Sequence, residues 1–148
     1  MTKIITTTEL IQKTSELFNK NGYFNTSISD VGLHCGLKKA SVYHHVSSKK
    51  ELGLRTLEFY QAQFNEKVLA AAKSSVDKKE ALNNFIQAIC DFYASSTGGC
   101  LMGNFTLEAS ALDDDLQNLC VEFFKDFQKT FQFLLGDDAD AVVVVVSV

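Results

Sequence analysis

Residues 37–52, LKKASVYHHVSSKKEL, gather four lysines, two histidines, a tyrosine and three serines within sixteen positions. Ammonium, imidazole N–H, phenol and hydroxyl groups all donate hydrogen bonds. Offered together they make a surface suited to an anion, and the lysines extend its reach beyond contact distance. The whole chain nonetheless carries a formal net charge of −4 at pH 7. The charge is unevenly spread. Residues 1–55 hold eight Lys or Arg against four Asp or Glu, whereas the rest hold six against fourteen. A basic head on an acidic body assigns a polyanion to the head and another task to the body.

Other chemistry finds little support. All three histidines, His34, His44 and His45, sit in the basic head, so no nucleophile–base–acid set presents itself. No Gly-rich phosphate loop or metal motif occurs, so neither catalytic residues, nor a metal, nor a cofactor is expected. Cys35, Cys90, Cys100 and Cys120 form no C-x-x-C pair. With no apolar leader in MTKIITTTEL and no span of membrane length, the expectation is reduced thiols in a cytoplasmic protein without a membrane partner.

The elements that must position the anion grip are helices. The chain has no proline and 46% apolar residues, which favours long helices around a real core. Thr6 with Glu9, Ser27 with Asp30 and Ser48 with Glu51 have the spacing of capping boxes, each a helix start. The first helix carries Leu10, Ile11, Leu17 and Phe18 at helical spacing and closes at Gly22. The second turns Ile28, Val31 and Cys35 inward and stops at Gly36. A third is predicted from Lys38 to His45, with Val42 and Val46 inward. Two short helices joined by a glycine turn and braced by a longer one make a helix-turn-helix. Beyond it, helices are predicted over about 48–74, from Asp77 to Tyr93, over about 101–111, and after Asp113-Asp114-Asp115. The fifth should turn Leu82, Phe85, Ile86, Ile89 and Tyr93 to one face. The fold class is therefore all-α. The divisions are residues 1–50, a three-helix basic head; 51–136, a helical body; and 137–148, a valine-rich tail of strand-like composition.

The second helix of a helix-turn-helix enters the major groove by its leading end. Lys38, Lys39, Ala40 and Ser41 stand there. Lys39 can donate to guanine O6 or N7 or to phosphate, and the small Ala40 lets the backbone approach a thymine methyl. Tyr43 and His44 lie where the helix flank meets the sugar-phosphate strand. Helix N-termini near Thr26-Ser27 and Ser48-Lys49 offer backbone N–H groups to phosphates. The anion is double-stranded DNA.

The same stretch carries a resemblance. LIQKTSELFNKNGYFNTSISDVGLHCGLKKASVYHHVSSKKEL, residues 10–52, places a Leu-Phe before Asn-Gly-Tyr, then Thr-Ser, a Gly-Leu turn, Tyr-His-His and Lys-x-x-Leu. With these elements in order and at that spacing, residues 6–54 resemble the DNA-binding head of the TetR family of bacterial transcriptional regulators. The resemblance implies that Thr26, Lys39, Ala40, Tyr43, His44, His45 and Lys49 touch DNA. It also implies a homodimer on a near-palindromic operator, more often repressing than activating, with a ligand pocket in the body. Lys38 departs from the family's usual helix-capping Ser or Thr, Val46 from its Phe and Gly32 from its Ala.

For the body, the Phe-rich stripe of Leu116–Leu135 is read as part of a dimer seam, with plain intramolecular core as the other reading. Phe64, Phe85, Tyr93, Met102, Phe105 and Phe123, with Phe92, are expected either to line an apolar cavity or to fill core. GCLMGNFTLEAS, residues 99–110, is similar to a TetR subgroup that includes electrophile-responsive repressors. That makes Cys100, at a helix start, the candidate sensor thiol for a small-molecule or electrophile inducer. Family members usually continue through one further long helix, where this chain has its valine tail. The rival class is a helical protein–protein adaptor that keeps the head unused.

Overall fold

Each of the three polar starts opens a helix, and the first two are complete capping boxes. The computed structural model describes residues 4–136, and the valine-rich stretch falls outside them. Thr6 Oγ1 accepts from Glu9 N while the Glu9 carboxylate accepts from Thr6 N, opening α1 at Thr7–Asn21. Ser27 and Asp30 do the same for α2, Ile28–Cys35. The third start is a variant. Ser48 Oγ accepts from Glu51 N, but the Glu51 carboxylate reaches one residue further back, to Ser47 N and Oγ.

Among the described residues the remaining helices are α3 Lys39–Val42, α4 Lys49–Lys67, α5 Lys78–Ala94, α6 Leu101–Leu107 and α7 Asp114–Leu135, with 3₁₀ turns at Leu69–Lys73 and Ala109–Ala111. No strand occurs among them, and no helix is long and apolar enough to cross a membrane. The third helix is shorter than the sequence suggests. Past Val42 the chain tightens into three-residue bonds, His44 N to Ser41 O and His45 N to Val42 O, so residues 43–45 form a turn.

The described residues fall into two compact units. One holds those up to Tyr60 together with Ser96–Cys120, and the other holds Gln61–Ser95 together with those from Val121 onward. Ser96–Cys120, which the sequence assigns to the body, therefore clusters with the head.

The first unit is centred on Leu10, Phe18, Val31, Val42, Leu52 and Leu57, all 0–1% exposed. Phe105 joins this core, its ring 5.8 Å from Phe18 and 5.2 Å from Tyr23. The loop before α6 is sewn to the end of α1. Asn104 Nδ2 donates to Asn19 O, Asn19 Oδ1 and Gly98 O, and Asn19 Nδ2 donates to Ser96 Oγ and Gly99 O.

The second unit is built on phenylalanine. Phe64 sits at 4.7 Å from Phe123, 5.3 Å from Phe92 and 5.5 Å from Phe127, and Phe85 meets Phe131 at 5.1 Å. Most are edge-to-face, which suits the ring quadrupole. The Phe stripe of α7 thus meets rings of its own chain: Phe123 and Leu134 are buried, and Phe127 and Phe131 half-buried, while Phe133 is 50% exposed. Ile86 also departs from its expected inward place. It is 46% exposed, while Ala81 and Phe85 make the buried face of α5.

Candidate nucleic-acid interface

α3 owes its position to a close approach. Gly36 ends α2 in the left-handed conformation at φ 71°, where glycine is favoured. Leu37 N then donates to Gly32 O at 2.8 Å. A Cβ on Gly32 would stand 2.8 Å from Leu37 O, so the absence of a side chain there brings the turn against α2. Val42, fully buried, and Val46, 3% exposed, plug α3 into the head from below. The opposite side is open: Lys38, Lys39, Ala40 and His44 are exposed, and Tyr43 is 46% exposed. Lys38 occupies the N-cap of α3 without a side-chain hydrogen bond. A lysine has no acceptor to give the helix, so its ammonium is left to solvent or to a polyanion.

The other predicted contacts divide. Ser41, His45 and Lys49 are half-buried. His45 Nδ1 lies 2.9 Å from Thr7 Oγ1, which ties this ring to the start of α1, whereas His44 faces outward. Thr26 is corrected outright: it is 0% exposed, and its hydroxyl donates to Gly22 O at 2.7 Å, bracing the α1–α2 loop. Ser27 remains exposed, but its N–H and that of Asp30 are taken by the capping box. Likewise Ser47 N and Glu51 N are taken at the start of α4. These four N–H groups are engaged within the protein.

Electrostatics separate the two lysines that open α4. Lys49 stands over aromatic rings, 4.4 Å from the Tyr23 centroid and 5.8 Å from that of Phe24. Burial lowers its pKa, and the charges of Glu108 and Asp30 act against that. Lys50 is held by Asp113 at 2.8 Å and Asp115 at 2.6 Å, which together push its pKa upward. Neither pairing is visible in the local pattern around residues 49–50.

The candidate sensor residues are likewise divided. Met102 and Phe105, both 0% exposed, belong to the first unit; Phe64, Phe85, Tyr93 and Phe123 belong to the second, where Phe64, Phe85 and Phe123 are packed ring against ring. Cys100 is the N-cap residue of α6 and half-buried. Its Sγ accepts from Gly103 N at 3.4 Å and from Tyr60 Oη at 3.7 Å. Cys90 is exposed, and Cys35 and Cys120 are buried. Burial pushes the Cys120 thiol up to about 11, partly offset by a hydrogen bond with Thr106.

Comparison with known proteins meets this geometry at the head. Residues 10–55 match the family described as bacterial regulatory proteins, tetR family. Over 124 residues, 83% of this chain, the sequence is 27% identical to the HTH-type transcriptional repressor DhaR of Mycobacterium sp. (strain GP1). The chain spans 62% and 63% of the length of two curated relatives it matches. A TetR transcriptional regulator from Legionella pneumophila superposes with a TM-score of 0.80 at 26% identity, covering 98% of this chain and 81% of that one. AibR, in complex with isovaleryl coenzyme A and operator DNA, has the same fold at a TM-score of 0.73 and 16% identity, covering 93% of this chain and 74% of its own. With an all-helical fold, a helix-turn-helix head and these likenesses in agreement, residues 10–55 form a tetR-family head, and over most of its length the chain is similar to TetR-family regulators.

Proposed function

We propose that this chain is a DNA-binding transcriptional repressor that acts as a homodimer on a near-palindromic operator and is released by a small-molecule or thiol-reactive inducer. The observation that carries the reading is the open leading end of α3. Lys38, Lys39 and Ala40 are exposed there, flanked by Tyr43 and His44, on a helix whose other side is plugged by Val42. A helix so mounted presents donors to base edges and phosphates while its core contacts fix its angle. Two heads on successive major-groove faces multiply affinity and specificity, which is the physical reason for a dimer. DhaR, named a repressor, supports the sign of the effect.

The test is a gel shift of the protein on DNA upstream of its own coding region, with unrelated DNA as competitor. A repressor gives a retained band that the competitor does not remove. Weak retention on every fragment alike assigns the chain to the adaptor class instead.

The inducer arm centres on Cys100, half-buried beside Tyr60 at the N-cap of α6. In a Cys90→Ser background, native protein treated with a thiol-reactive electrophile should label at Cys100 and lose operator binding. Buried Cys120, held as the neutral thiol, should label only on unfolding. Label at Cys100 without loss of binding removes the thiol from the mechanism.

A further inference from the structure

The family match ends at residue 55, yet the lysine that opens α4 is positioned from far beyond it. Glu108 is the C-cap residue of α6. Its Oε1 accepts from Tyr23 N and its Oε2 from Phe24 N, both at 2.9 Å. Those residues make the turn between α1 and α2, and their rings meet edge to face at 5.3 Å. Lys49 Nζ rests over both rings. Gly22 completes the fit: a Cβ there would lie 2.9 Å from Glu108 Oε1, and the residue sits at φ +85°. One carboxylate therefore fixes the turn that carries the aromatic seat of Lys49, and places its own charge near the same ammonium.

We propose that Glu108 is a positioning residue for DNA binding, holding the Tyr23–Phe24 seat so that the Lys49 ammonium meets a backbone phosphate. The inference rests on the DNA-binding reading above. A free lysine stem samples many rotamers, and each must be given up on contact with DNA. A seat that restrains the stem beforehand lowers that cost. Both oxygens of Glu108 are in use, so the neutral amide in Glu108→Gln meets one of the two N–H donors with a donor of its own.

The experiment compares the full-length protein, Glu108→Gln, Lys49→Ala and the double variant, by equilibrium binding to the retained upstream fragment over a salt series. Glu108→Gln should weaken binding about fivefold, and each single variant should flatten the salt slope by up to about one phosphate per head. In the Lys49→Ala background Glu108→Gln should add nothing. Independent, multiplying effects overturn the proposal, as does a Glu108→Gln protein that binds like the original. Phe24→Ala, at a 47% exposed site, removes part of the seat without touching a backbone bond and should weaken binding in the same direction. Amine acylation of DNA-free protein gives a second readout: Lys49 should react faster in Glu108→Gln, relative to Lys38. Should the unmodified protein hold no DNA, the DNA-binding reading falls, while the acylation ratio still decides whether Glu108 seats Lys49.

Discussion

At the level of single residues, the proposed DNA-binding role gives base reading and strand holding to different groups. Lys39 is exposed at the leading end of α3, whereas Tyr43 projects from the turn that follows it. Replacing Lys39 by Ala should relax base preference at one operator position by about 1–3 kcal/mol, leaving other positions alone. Replacing Tyr43 by Phe should weaken all sequences equally, because only a phosphate hydrogen bond is lost. Binding selections on randomised operators distinguish the two. If Lys39→Ala leaves the preferred sequence unchanged, its ammonium serves a phosphate instead. Stability turns on a different residue. A Cβ on Gly98 would stand 2.5 Å from Asn19 O, against backbone that cannot swing aside. Gly98→Ala should therefore cost about 1–3 kcal/mol in denaturant unfolding and loosen the loop before α6. Gly99→Ala has open space but sits at φ +75°, so its penalty is conformational rather than steric.

At the level of elements, acids at the helix starts make the head sensitive to low pH. The Asp30 carboxyl is held below its ordinary value of 3.8 by hydrogen bonds from Ser27. Ser47 does the same for Glu51, and the Lys50 ammonium for Asp113. A depressed folded-state pKa means that the stabilisation is present above the ordinary carboxylate range and lost as pH falls through the folded value. Unfolding midpoints should hold steady between about pH 7 and pH 5 and drop below about pH 4. Asp30→Asn should be less stable at neutral pH and show a shallower acid drop; an unaltered profile would mean that the α2 cap contributes nothing. These starts were readable in the sequence because a cap and its partner lie three residues apart. The first two formed as spaced, and the third slipped one residue because Ser47 offers a second hydroxyl. The end of α3 was less readable, since the tightening after Val42 depends on packing beneath it. The α7 stripe was readable as a stripe but not as to its partner. One periodicity serves a dimer seam and an internal core equally, and the intrachain partners Phe64 and Phe85 lie too far off in sequence for it to name them. Glu108 gave no signal: its donors lie 84 and 85 residues away, and no local pattern records them.

At the level of the whole molecule, the split between basic head and acidic body is real along the chain and much weaker in space. Among the described residues the unit containing the head holds seven basic and nine acidic residues, because Glu108 and Asp113–Asp115 fold into it; the other holds six of each. Long-range attraction to DNA is therefore modest, and affinity must come from the few cations that face outward. Lys50 is not among them while Asp113 and Asp115 hold it. Counting Lys38 and Lys49 as phosphate contacts, with Lys39 left to a base edge, a dimer with both heads engaged neutralises four phosphates. The logarithm of its affinity should fall against the logarithm of salt concentration with a slope of about −4. One engaged head should give about −2, and a dimer in which Lys50 abandons its carboxylates for phosphate should approach −5. Fluorescence anisotropy on a labelled operator, with sedimentation of the same samples to fix the number of protomers bound, separates these cases. A slope near zero would remove phosphate contact altogether, and with it the role given to the open end of α3.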